Sequence, residues 1–98
     1  MPDHRATIST ARCTDYAPRH VREAVERCIR ALPELCDRLT RSERVLLKPN
    51  LLSSRASPDD AVNTHPSVVQ AVADIAIGEF GCSVAIGDSC GSLSTAST

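Results

Sequence analysis

The chain has 98 residues, a formal net charge of -1, 42% hydrophobic residues and two aromatic residues, one Tyr and one Phe. That length supports one domain at most, with a core built from Val, Ile, Leu and Ala. The near-neutral balance and the lack of basic stretches interleaved with aromatics argue against nucleic acid as a partner.

No apolar run is long enough for a signal peptide or a membrane span, so the sequence reads as a cytoplasmic protein with no membrane partner. The five cysteines, Cys13, Cys28, Cys36, Cys82 and Cys90, form no C-x-x-C pair. Free thiols and no metal site are therefore expected.

Residues 1–5 are polar and expected to fray. Residues 6–12, A-T-I-S-T-A-R, place Thr and Ile where a strand favours them, which predicts a first strand with Cys13, Asp15 and Tyr16 at its C-terminal end. Pro18 suits the first turn of a helix, with Thr14 or Asp15 as a nearby cap. Val21, Ala24, Val25, Cys28 and Leu32 then recur at three- and four-residue spacing, opposite a charged face of Arg19, Arg22, Glu23, Glu26, Arg27 and Arg30. The pairs Glu23 with Arg27 and Glu26 with Arg30 read as a solvated face. Pro33 breaks or kinks this helix, leaving Leu35, Cys36 and Leu39 for one further turn.

After a polar connection over residues 40–43, Val45-Leu46-Leu47 is apolar on both faces, as expected of a buried parallel strand. Pro49 ends it, since proline has no N–H for a central ladder, and pushes Lys48 and Asn50 into the following loop. Residues 51–63 form a long loop rich in Ser, Asp and Pro. Thr64 or Asn63 is placed to cap a second helix with Pro66 in its first turn. Its apolar row of Val68, Val72, Ile75 and Ala76, widened by Val69, Ala73 and Phe80, predicts deeper burial than for the first helix. Gly81 is the better left-handed terminator than Gly78.

Residues 82–86 read as a third strand, ending in Gly87-Asp88-Ser89-Cys90-Gly91. Residues 92–98 are polar and without pattern, a C-terminal tail. The predicted fold class is α/β, a three-layer β-α-β-α-β unit with a mostly parallel sheet. Three strands are few for such a sheet, so residues 1–91 read as a partial α/β domain, the N-terminal part of a larger one.

Parallel strands would bring their following loops to one edge, where ligands bind in open α/β sheets. That edge would gather Cys13, Asp15, Tyr16, Lys48, Asn50, Asp88, Ser89 and Cys90. Lys48 offers a point charge for phosphate or carboxylate, and Asn50 and Ser89 offer directional hydrogen bonds. Asp88 suits a hydroxyl, a metal ion or proton transfer. His65, at a helix start, is a further acid–base candidate. Each has a plainer reading: a salt-bridging lysine, a loop-capping asparagine, a structural histidine, or Asp88 and Ser89 capping a further helix. Cys90 beside a helix N-terminus would be a reactive thiol, against the plainer reading of an inert one.

Three segments, V-L-L-K-P-N-L-L, N-T-H-P-S-V-V-Q-A-V and V-A-I-G-D-S-C-G, resemble in order and spacing the start of the family called domain of unknown function 362. The likeness covers about residues 44–91. It carries over to Lys48, Pro49, Asn50, Thr64, His65, Pro66, Gly87, Asp88, Ser89 and Gly91, with Cys90 at the variable position. The resemblance implies a family domain that continues past this region, often beside ferredoxin-like iron–sulfur modules.

The expected function is binding of a small anionic metabolite or cofactor at the C-terminal sheet edge through Lys48, Asn50, Asp88 and Ser89. Whether the domain is an enzyme stays open, with His65 and Asp88 as catalytic candidates. The alternatives are a redox accessory domain docking to an iron–sulfur module, and a non-functional fragment. Partners would be a small-molecule ligand, the remainder of the domain or a ferredoxin-like module. No cofactor is assigned, because the cysteines do not reproduce a cluster-binding run.

Overall fold

The computed structural model describes residues 5–50, 64–87 and 93–96, the last of these as backbone alone. The elements run α1 (Pro18–Arg30), α2 (Pro33–Arg41), β1 (Arg44–Leu47), α3 (Pro66–Phe80), β2 (Ser83–Gly87) and β3 (Leu93–Ala96). The α/β class holds. The strand order is β1-β2-β3, with β1 parallel to β2 and β2 antiparallel to β3.

Each helix begins at a proline, whose fixed φ suits a first turn and whose missing N–H costs nothing there. The expected side-chain cap by Thr14 or Asp15 is not made: Ala17 is the N-cap of α1 without a side-chain cap bond, and the Asp15 carboxylate instead accepts from Ala17 N at 3.0 Å ahead of the helix. The predicted break at Pro33 becomes a helix of nine residues rather than a single turn. Its Leu32–Pro33 start is extended, as the residue before a proline prefers.

Helix α3 is apolar nearly all round, and Ala71, Ala73, Ile75 and Ala76 are buried in it. A helix of this kind needs cover on more than one side. One side packs on the sheet: Ala73 and Ala76 form a buried cluster with Cys82 and Val84, against Val45, Leu47, Ile77, Phe80 and Ile86. On the other side lies α1, where Val21 and Ile29 are buried. Arg30 clasps the two helices, pairing with Glu79 at 3.1 Å and lying 5.3 Å from the Phe80 ring centroid. The expected Glu26 to Arg30 pair is present at 4.0 Å. Beneath α3, the Cys82 thiol donates to the carbonyls of Leu39 and Ser42, tying the end of α2 to the start of β2.

Three expectations are corrected. Residues 6–12 form no strand. They are held instead against the first helix by Ser9 Oγ, which donates to Cys28 O at 2.7 Å, and Ile8 is 80% exposed. Secondly, residues 93–96 of the supposedly patternless tail form β3, which pairs antiparallel with β2, so the sheet has one antiparallel pairing. Thirdly, β1 is not buried on both faces: Val45 and Leu47 face α3, while Leu46 on the opposite face is 58% exposed. The described helices thus cover one face of the sheet, and the second helical layer of a three-layer unit is not among the described residues.

Gly81 terminates α3 with φ 69°, and its N–H reaches Ile77 O at 3.1 Å. Gly78 lies inside the helix with open space where a Cβ would stand. Gly78→Ala should therefore stabilise the chain by about 0.5–1 kcal/mol, whereas Gly81→Ala should cost about 1–2 kcal/mol for a left-handed alanine. Urea denaturation of both variants checks the pair, and equal shifts would contradict the assigned helix end.

Candidate functional site

The parallel pairing sets the geometry. Leu47 lies opposite Ile86, so β1 and β2 end side by side and Lys48 follows at the level of Gly87. Lys48 and Asn50 are exposed beyond this edge. Asp88, Ser89 and Cys90 lie outside the described residues.

Asn50 and Thr64, on either side of residues 51–63, are joined by two hydrogen bonds. Thr64 N donates to Asn50 O at 2.7 Å, and Asn50 N donates to Thr64 Oγ1 at 2.9 Å. The K-P-N and T-H-P segments, fourteen positions apart by their Asn50 and Thr64, thereby become neighbours. A cleft of about 270 Å³ lies beside this junction, lined by Lys48, Pro49, Thr64, Val68, Val69 and Val72 among others.

Of the two expected caps of α3, Asn63 lies outside the described residues and the Thr64 hydroxyl accepts from Asn50 N. The cap is His65, whose Nδ1 accepts from Ser67 N at 3.1 Å and lies 2.8 Å from Ser67 Oγ. Because a backbone N–H can only donate, Nδ1 is the acceptor in this contact. Histidine is an uncommon cap, so propensity alone points to Thr64. The His65 ring also stacks on Tyr16, with centroids 3.9 Å apart and planes 4° from parallel. Tyr16 thus reaches the predicted edge, although the strand expected to deliver it does not form.

The start of α3 has few donors to spare. Pro66 has no N–H, Ser67 N is held by His65 Nδ1, and Val68 N bonds His65 O at 3.0 Å. Positive charge for a ligand at this edge must therefore come from a side chain. Among the described residues, no carboxylate pairs with Lys48.

Next to Tyr16, the Asp15 carboxylate holds His20 Nδ1 at 2.9 and 3.0 Å. The His20 hydrogen bond, then that from Ala17 N, pulls the Asp15 carboxyl below its ordinary range. The pair flanks an open cleft of about 600 Å³ between residues 11–16, α1 and α3.

A family model described as domain of unknown function (DUF362) matches residues 45–98. The chain belongs to that family. The matched region starts in β1 and contains Lys48, the Asn50–Thr64 junction, α3 and the β2–β3 pair; α1 and α2 precede it. No curated protein and no solved structure matches the chain.

Iron–sulfur modules, which the family resemblance implies for relatives, find no ligand set in the described part of this family member. Cys13 is exposed, Cys28 and Cys36 are half-buried and Cys82 is buried, all as free thiols. Among the described residues, no group of three or more His, Cys, Asp or Glu side chains is arranged to hold a metal ion. Nor is any described helix long and apolar enough to cross a membrane.

Two predictions follow from this geometry. His65→Ala should destabilise the chain by about 1 kcal/mol for the lost cap and by about 0.5–1.5 kcal/mol for the lost ring stack. His65→Asn should recover only the capping part, and equal denaturation midpoints for the two variants would disprove the cap. For Asp15 the folded pKa lies below the unfolded 3.8, so its stabilising contribution is complete above pH 3.8 and is lost as pH falls through the folded value. Asp15→Asn should flatten the acid limb of stability against pH, read as denaturation midpoints across a pH series.

Proposed function

We propose that this family domain binds a small anionic metabolite or cofactor at the edge where β1 and β2 end. Lys48 recruits the anion. Asn50 and Ser89 orient it, and Asp88 moves a proton or holds a metal ion in whatever reaction follows. The observation that carries this reading is an exposed lysine beyond a parallel strand end, beside a cleft, with no carboxylate partner among the described residues.

The spent donors at the start of α3 give further support, because they leave Lys48 as the source of positive charge. A general-base role at His65 Nδ1 would cost the cap. Asp88 is therefore the stronger of the two acid–base candidates.

The test is titration of the ¹⁵N-labelled chain with inorganic phosphate and with acetate at matched ionic strength. Saturable amide shifts are expected at Lys48, Thr64 and Gly87, and Lys48→Met should weaken binding at least about tenfold, or ~1.4 kcal/mol. The remaining spectrum should be unchanged. Equal binding by folded Lys48→Met would remove Lys48 from the site.

A further inference from the structure

The cleft beside Lys48 and the larger cleft beside Tyr16 share two wall residues, Val68 and Val72. These are one turn apart on α3, so the same aliphatic ridge borders both spaces. The two clefts thus adjoin across this ridge, one beside Lys48 and the other between α1 and α3.

The chemistry changes across the ridge. Lys48 and the Thr64 hydroxyl lie on one side. Beyond the ridge the wall is aliphatic, with Val21, Ala24, Val25 and Ile29 from α1. The volume there, about 600 Å³, is within the range of sites for small organic ligands. One face of the Tyr16 ring is already taken by His65. Asp15 also lines this cleft, on the side of the α3 start where Tyr16 stacks on His65.

Resting on the anion-binding reading above, we propose that the ligand is amphipathic: an acidic head at Lys48 and an aliphatic tail of medium length laid over Val68 and Val72 into the α1–α3 cleft. The head and tail are read out separately. Charge fixes the head, and apolar area fixes the tail length.

The experiment titrates the chain with acetate, hexanoate and octanoate at matched ionic strength, well below micelle-forming concentrations, and follows amide shifts. Acetate should move only the Lys48 end. Hexanoate and octanoate should also move Ala24, Val25 and Val68, and affinity should rise about two- to fourfold per added methylene, the upper figure corresponding to about 0.8 kcal/mol for full burial. Ala24→Phe, which fills the cleft, should abolish the chain-length dependence and leave acetate binding intact. Val68→Thr keeps the shape with a polar group and should reduce the dependence, so the test survives if Ala24→Phe does not fold.

Acetate binding at Lys48 with octanoate no tighter would overturn the tail and leave the anion site standing. No binding by any of the three at Lys48 would overturn both. Octanoate binding undiminished by Lys48→Met would show an apolar cleft unconnected to the cation, which also overturns the proposal.

Discussion

The need to cover α3 on two sides organises this chain. Its sequence interrupts the apolar surface only at Ser67, Gln70, Asp74 and Glu79. Gln70 and Asp74 bond each other at 2.7 Å on the open side, and Glu79 is taken by Arg30. The rest must leave water. Ala73 and Ala76 turn to the sheet, where their small side chains admit Val84, Val45 and Leu47 closely. Complete burial of Ile75 and near-complete burial of Val84 contribute about 1.5–3 kcal/mol each by area. Without α1 the second side of α3 would be bare, which explains why the amphipathic helix that precedes the family-matched region is packed onto it.

Covering α3 also fixes where its first turn stands, and the site follows from that. The parallel β1–β2 ladder requires the chain to leave β1 at the edge where β2 will also end, then return along α3. Two hydrogen bonds between Asn50 and Thr64 close the 51–63 excursion at its base. The excursion can therefore be long without loosening the position of Lys48 relative to α3. His65 completes the arrangement by capping the helix with one ring nitrogen and stacking its face on Tyr16. The ordering of the edge thus depends on backbone closure and one imidazole, not on the sheet alone.

How much of this is legible in sequence varies with the physics involved. Helix periodicity and the prolines locate α1 and α3, while α2 is legible only as a further turn after Pro33; Gly81 marks the end of α3 because a left-handed residue is needed there. Those are local signals. Strand residues 6–12 mislead because β-branched composition reports an extended backbone, not a ladder partner; the segment is extended enough for Ser9 to bond Cys28 O but pairs with no described strand. β3 is missed for the converse reason, since S-L-S-T-A-S-T shows no apolar alternation although residues 93–96 pair with β2. At the site, Lys48 is legible because Pro49 must end β1. The exchange of roles between Thr64 and His65 is not, because it depends on Asn50 claiming the threonine hydroxyl across fourteen positions.

That exchange has a chemical consequence for recognition at this edge. Helix N-termini attract anions when their first N–H groups are unsatisfied. Here Pro66 contributes none, and the next two are engaged by His65 itself. The dipole of α3 remains, but the directional donors that would grip a phosphate do not. A ligand held this way relies on a flexible point charge, Lys48, rather than on a fixed cradle of amides, so its head group is only loosely discriminated. Selectivity must then come from elsewhere in the adjoining clefts. The aliphatic ridge of Val68 and Val72 is the feature that supplies it, since it favours an apolar body.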